Sequence, residues 1–525
     1  MNPFPTNDNV SVSRPLPAWL RPWPVAGLIV LLWLGLFLVR LAAPPDFVDS
    51  DHQEREAAYV LDVLANGHWV FQQNQTGELS GKLPLFTWLS AGFSCLFSGG
   101  RLTVLSLYLP SALSVLGVML LLWHSGRRRL GVWAGLFAAL FFLVSPAGSK
   151  MIFLARKDVL FTFTVTLAML AAYRAWERGG SAWLGFWLAG VLASFAKWPI
   201  GVVLGALGLI AFYFDRLPAA APKSDAAEIG TGARSGWWFA AGLILFLILF
   251  GGWCWLAWQQ WGETLHDRLI SNELADTVQS QPGRSRGLLS ECYKPGLYLV
   301  SRFLPWSLLG LWGAWRAWFR PDVDPGRRRF TRFLAVAVVL GALGFSLSPH
   351  TRPDLLFPLM PPLALLAGLE AARLLRPELR VRLTVAGLAI AVAALLGGSF
   401  WYHHLSEPRK DRNVIRTRGV AEIQRQLVAR YGAKPPELIY TDCALALQIF
   451  RNTLQQNVKL ADAAARLAGD NPVLVVTKDA GELRRLLPPG AAVEEIIPWP
   501  EAKSKEKNFL CVLTNRPAAA AVKAP

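Results

Sequence analysis

The chain of 525 residues is 53% hydrophobic and 12% aromatic against only 17% charged, a balance too apolar for an ordinary soluble domain. Apolar runs able to cross a hydrocarbon core of about 30 Å, which takes about 20 helical residues, recur from residue 25 to residue 401. The formal charge of +17 does not mark a nucleic-acid binder, because the Arg residues cluster in short loops between these runs, where membrane topology places them.

In lipid every backbone group must be bonded within its own segment, so the runs predict a helical bundle. Residues 1–24 carry Arg14 and Arg21 ahead of the first run, 25–39, which with its flanks exceeds the short core of a cleavable signal. The reading is a cytoplasmic N-terminus and an uncleaved anchor. The next apolar stretch, 83–98, has only 16 residues and is expected to be interfacial or re-entrant. A full crossing there would carry the following Arg127, Arg128 and Arg129 to the outer side.

Basic loops then follow the runs in turn. Arg127 to Arg129 close 102–123, Arg174 and Arg178 close 159–173, and Arg216, Lys223 and Arg234 follow 202–214. Arg316, Arg320 and Arg327 to Arg329 form the next group, and Arg373, Arg376, Arg380 and Arg382 the last. Placing all of them in the cytoplasm gives about 11 spans, an odd count that leaves the C-terminus outside. The membrane part is then 25–401, with outer loops 42–82, 145–158, 197–199, 261–298 and 346–354.

After residue 401 the apolar runs shrink to strand length, at 438–441, 473–476, 493–497 and 509–513, with helical patterns at 420–431 and 480–487 between them. Such alternation predicts a small extracytoplasmic α/β domain over 402–525. It reads equally as an interaction module without chemistry. The fold class expected is a polytopic α-helical membrane protein carrying this C-terminal domain. Cys443 and Cys511 are either a disulfide, in an oxidising compartment, or two buried thiols in strands.

Chemistry is expected where several outer loops offer charges. The first loop has Asp49, Asp51, Glu54, Glu56, Asp62 and Glu78, ending on Lys82; the second has Arg156, Lys157 and Asp158 at the mouth of a span. Ionisable groups so close to hydrocarbon are costly unless paired or used. The plainer reading of Asp51 and Asp158 is a helix cap or a solvated carboxylate. Asp49-Ser50-Asp51 forms a DxD, but Asp322-Val323-Asp324 repeats it in a loop read as cytoplasmic, so the pattern alone says little. The lone histidines His52, His68, His266 and His350 show no helix-spaced pair for a metal.

A donor anchored in the membrane suits these charges. A polyprenyl-phosphate sugar presents its phosphate at headgroup level, where Lys82 and Arg156 can donate charge-assisted hydrogen bonds. A carboxylate takes the proton of an acceptor hydroxyl as it attacks the anomeric carbon. Nearby cations stabilise the departing lipid phosphate. No cofactor is required, and a divalent metal is optional.

The motifs resemble those of the type C glycosyltransferases that use polyprenyl-phosphate sugars, including the protein O-mannosyltransferases and the lipid A aminoarabinose transferase. The similar residues are the acidic stretch Asp51 to Glu56, then Gly67-His68-Trp69, then Lys82-Leu83-Pro84-Leu85 with Phe86, Trp88 and Leu89. Ala155-Arg156-Lys157-Asp158 resembles the family's second acidic motif and Lys197-Trp198-Pro199 its Lys-Gly-Pro turn. Leu304-Pro305-Trp306-Ser307 resembles a later Pro-Trp, and SLSPHTRPDLLFPLMPP, 346–362, an outer loop and Pro-rich helix. The similarity covers roughly residues 20–370.

The resemblance implies that Asp51 activates or positions the acceptor, with Asp49 and Glu54 as alternatives, and that Asp158 is its partner. It implies Lys82 as the lipid-phosphate contact, and a large loop that closes over the donor with Glu273, Arg284 and Arg286 available to it. His350 and Arg352 are assigned to substrate from the last outer loop. Where the family often has an acidic residue before the Lys, this chain has Gly81, which removes a metal ligand there. The activity expected is an inverting sugar transfer to a lipid, protein or envelope glycan, on the periplasmic side of a bacterial inner membrane. A transporter or an assembly scaffold is the rival reading, but a transporter would place polar breaks mid-span, and the ionisable residues here lie at span ends.

Overall fold

The structure, a computed structural model, describes residues 21–45, 47, 53–80, 82–214, 228–266, 292–347, 353–375, 377–432, 436–441, 445–489, 491, 493–496 and 510–515. It is a multi-pass helical membrane protein. Among the described residues, 7 helices are long and apolar enough to cross a bilayer, or 8 if one bent pair counts as a single span. Leu85–Ser98, Ala182–Lys197 and Ile200–Tyr213 are shorter apolar helices.

The first eight helices position the site: α1 (Pro22–Ala42), α2 (Gln53–Asn66), α3 (Leu85–Ser98), α4 (Val104–Arg129), α5 (Val132–Val144), α6 (Pro146–Ile152), α7 (Lys157–Arg178) and α8 (Ala182–Lys197). Thr103 starts α4 with a capping box: its hydroxyl accepts from the Ser106 backbone N–H, and the Ser106 hydroxyl accepts in return from the Thr103 N–H. The chain reverses into α5 at Gly131, whose φ of 112° suits glycine. The two helices then touch at Gly126 and Gly135, where a Cβ on Gly126 would fall 2.5 Å from the Gly135 Cα.

Helices α5 and α6 meet at 69°. Ser145 makes the corner by accepting from the Gly148 N–H, and Pro146 fits the first turn because its missing donor is not needed there. Helices α4 and α7 run parallel and are tied at both ends. The Arg129 guanidinium grips Glu177 with two bonds of 2.8 and 2.9 Å at one end, and Ser111 holds the backbone of Arg156 at the other. The second end carries the site.

Among the described residues the C-terminal part contains a four-stranded sheet of β1 (Glu437–Tyr440), β2 (Val473–Thr477), β3 (Glu494–Ile496) and β4 (Cys511–Thr514) in the order β1-β2-β4-β3. The pair β1–β2 is parallel and the other pairs antiparallel. Strand β2 reads VLVVT, apolar at nearly every position, because both faces are covered. Val473 and Val475 pack with Ala463, Leu467 and Leu483, while Leu474 and Val476 join the same continuous core as the membrane helices. The strands start within two residues of the expected runs. Cys511 is a free buried thiol donating to the Thr477 carbonyl at 3.3 Å, so the thiol reading applies to it; Cys443 lies outside the described residues.

Candidate active site

The loop between α2 and α3 is ordered by Asp62, a buried carboxylate on α2. It accepts the Gln73 backbone N–H at 2.7 Å and the Asn66 amide at 2.8 Å, with His68 Nδ1 at 3.0 Å from both its oxygens. Asp62 and His68 therefore fold the loop and are spoken for. The Trp88 indole N–H donates to the Trp69 carbonyl at 2.6 Å, fixing the loop over α3. Lys82 follows in a tight turn: its N–H donates to the Ser80 hydroxyl, which donates back to the Lys82 carbonyl, each at 3.1 Å.

At the start of α7 three charged residues diverge. Arg156 is extended, with its N–H and carbonyl both bonded to the Ser111 hydroxyl at 3.0 and 2.9 Å. Asp158 lies in the first helical turn, where the helix dipole favours an anion, and accepts from Lys197 Nζ at 2.8 Å. Lys157 is 9% exposed and lies 3.8 Å from the Glu56 carboxylate, with no hydrogen bond to its ammonium among the described residues. Glu56, Lys82, Asp158 and Arg55 all act electrostatically on it, as Lys197, Lys157 and Arg156 act on Asp158. Lys82, Arg156 and Asp158 thus lie near one another at one end of the bundle, while Asp51, expected to join Lys82 and Asp158 there, lies outside the described residues.

Lys197 reaches this group because the backbone after it turns sharply. Trp198 has φ 68° and ψ 162°, a region that is essentially glycine's. The position that is Gly in the Lys-Gly-Pro pattern keeps its glycine conformation here with a Trp in it. Its indole packs into an aromatic cluster with Phe195, Trp253 and Trp88, which holds the turn in place.

Arg156 also lines a cavity of about 200 Å³ formed with Lys150, Arg302 and Asp354 and with Ala147, Met151 and Phe357. Arg156 enters it and donates to the Asp354 carboxylate at 2.9 Å, while its buried Nε has no hydrogen-bond partner among the described residues. Three cations against one carboxylate leave the cavity net positive, a setting for a phosphate-bearing group. Lys150, Arg302 and Asp354 were not singled out in the sequence. The available signal was that Lys150 and Arg302 are cations at span ends on the side where the positive-inside rule leaves few.

Asp51, Glu273, Arg284, Arg286, His350 and Arg352 lie outside the described residues. Glu54, an alternative to Asp51, is buried and accepts the Leu445 backbone N–H. Among the described residues no three His, Cys, Asp or Glu side chains are grouped to hold a metal ion.

Residues 81–219 match the family model described as dolichyl-phosphate-mannose-protein mannosyltransferase. The crystal structure of ArnT from Cupriavidus metallidurans bound to undecaprenyl phosphate is similar with a TM-score of 0.69 and 15% identity, over 97% of this chain and 100% of that one. Its apo state gives a TM-score of 0.66 and 17% identity, over 93% and 97%. Among curated proteins none matches the sequence.

Proposed function

This chain has the fold of the type C glycosyltransferases, and from that premise we propose that it transfers a sugar from a polyprenyl-phosphate donor to an acceptor hydroxyl on a lipid, protein or envelope glycan. The observation that carries the reading is Lys157. A buried ammonium with an ion pair at 3.8 Å and no hydrogen bond among the described residues is costly to keep, and a phosphate oxygen would satisfy it.

In the transfer, the acceptor oxygen bonds to the anomeric carbon as the bond from that carbon to the phosphate oxygen breaks, with inversion. The hydroxyl proton passes to a carboxylate, for which Asp51 is the candidate, with Asp158 as its partner holding Lys197. The polyprenyl phosphate leaves with the bonding electron pair. Lys82 and Lys157 face the charge it gains, and Arg156 adds a second cationic side from the cavity. Glu273, Arg284, Arg286, His350 and Arg352 are assigned to substrate from the remaining loops. No metal is needed for these steps.

The proposed setting is a bacterial inner membrane with the site and the C-terminus periplasmic, a cytoplasmic segment 1–24, a membrane part 25–401 and an α/β domain 402–525. The long helices, the bent pair as one span, Ala182–Lys197, Ile200–Tyr213 and Trp306–Phe319 make up about 11 crossings, with α3 at the interface. The test is sugar transfer from a radiolabelled polyprenyl-phosphate donor in membranes. Lys157→Met is expected to lower the rate about 100-fold or more, since it removes a charge met in the transition state. An undiminished rate would sink the reading.

A further inference from the structure

One short stretch of the C-terminal part, 445–457, contacts four separate pieces around the candidate site, three of them by hydrogen bonds. The Leu445 N–H donates to the buried carboxylate of Glu54 on α2. Phe450 meets Phe47, just ahead of α2, edge-on at 5.7 Å. The Asn452 side chain accepts from the Leu102 N–H at 2.8 Å and donates to the Gly100 carbonyl at 3.2 Å, between α3 and α4. The Asn457 N–H donates to the Gln75 carbonyl at 2.8 Å, in the loop between α2 and Lys82.

These contacts are built rather than incidental. Leu445, Ala446, Leu447 and Ile449 are buried in the core that continues into the membrane helices. Asn452 takes φ 56°, the left-handed conformation that Asn tolerates among non-glycine residues, and this turn is what aims its amide at Gly100 and Leu102. Buried carboxylates are stable only when satisfied, so Glu54 binds α2 to this segment as long as both are folded. Two residues further along α2, Glu56 faces Lys157 on α7.

We propose that segment 445–457 is a bracket that sets α2 against α7, with Glu54 and Asn452 as positioning residues, so that the C-terminal module is a working part of the site and not an appended interaction domain. The inference rests on the glycosyltransferase reading only for its effect on rate. The placement of Lys157 is its direct consequence.

The test uses the full chain purified in detergent, with two readouts: the rate at which acetic acid N-hydroxysuccinimide ester modifies Lys157, followed by mass spectrometry, and sugar transfer in membranes. Glu54→Ala and Asn452→Gly each break the bracket, the latter without straining the turn, since glycine accepts a positive φ. Both are expected to raise Lys157 modification about three-fold, by loosening its carboxylate partner. Both should also lower kcat about ten-fold with little change in donor KM, as expected for misplaced groups. Glu54→Gln, which still accepts from the Leu445 N–H, should restore most of both. Unchanged Lys157 modification in Glu54→Ala and Asn452→Gly overturns the bracket, as does a Glu54→Gln variant as impaired as Glu54→Ala. Raised modification together with no transfer even by the unaltered chain supports the bracket and rejects the sugar-transfer reading instead. Thermal unfolding of each variant separates a loosened bracket from a chain that has not folded.

Discussion

Lys197 Nζ lies 2.8 Å from Asp158 Oδ1, joining the end of α8 to the start of α7 through a pair whose side chains are only 24% and 16% exposed. Removing the cation leaves a mostly buried carboxylate without its partner, which is more damaging than removing both. Lys197→Met is therefore expected to destabilise the protein by about 3 kcal/mol. Adding Asp158→Asn should recover much of this, and a double-mutant cycle on thermal unfolding in detergent reads the coupling. Additive losses would mean that the pair does not hold the two helices together.

The cavity cations should differ in weight according to their exposure. Lys150 and Arg302 are exposed, so solvent screens them, and Lys150→Ala or Arg302→Ala is expected to weaken polyprenyl-phosphate binding about three-fold each, with the loss shrinking at high salt. Arg156 is more deeply set and holds Asp354, and Arg156→Ala should weaken binding about ten-fold or more, because it also leaves that carboxylate unpaired. Titration of each variant with the lipid phosphate at low and high salt ranks them. Equal affinities throughout would remove the cavity from the donor site.

Much of this arrangement was legible in the chain, and the illegible parts have physical reasons. Apolar runs and Arg loops marked the helices because lipid imposes one simple rule on length and charge, and strand β2 stood out because both its faces are buried. Lys82, Arg156 and Asp158 could be named because ionisable residues at span ends are rare, and Asp51, named on the same ground, lies outside the described residues. The roles of Glu54, Asp62 and Glu56 were not separable, since three acids on one short helix look alike until their partners are known. Two of those partners are distant in sequence, Leu445 for Glu54 and Lys157 for Glu56, and those of Asp62 lie in the loop that follows it. The turn at Lys197-Trp198-Pro199 was legible only through its resemblance to a Lys-Gly-Pro turn, because a Trp carries no intrinsic preference for the positive φ that tertiary packing holds it in.

Asp51 is assigned by sequence, from its place at the head of the acidic motif two residues before α2. If it takes the acceptor proton, Asp51→Asn should lower sugar transfer about 100-fold or more, the usual worth of a general base. Binding of the bare polyprenyl phosphate should be unchanged, since no acceptor hydroxyl is present for a general base to act on. Glu54→Gln provides the contrast, being expected to retain most of the rate through its bond to Leu445. Full activity in Asp51→Asn would transfer the role to another carboxylate.

Cys511 gives the sheet a pH dependence of its own. Burial, with help from the Glu495 charge, pushes its thiol up to about 12 from an ordinary 9.0. A group that holds its proton more tightly when folded adds stability that is complete below the unfolded value and is lost as pH rises toward the folded one. The C-terminal part should therefore weaken between about pH 9 and pH 12, where unfolding lets the thiol ionise. Cys511→Ala should flatten that part of the profile, read by urea unfolding at successive pH values. Iodoacetamide at pH 8 should leave Cys511 unmodified in the folded chain and modify it once urea has opened the sheet, because the thiolate is the reacting form. Rapid modification of the native chain at pH 8 would show that the strand is open and the thiol not enclosed between β2 and its helices.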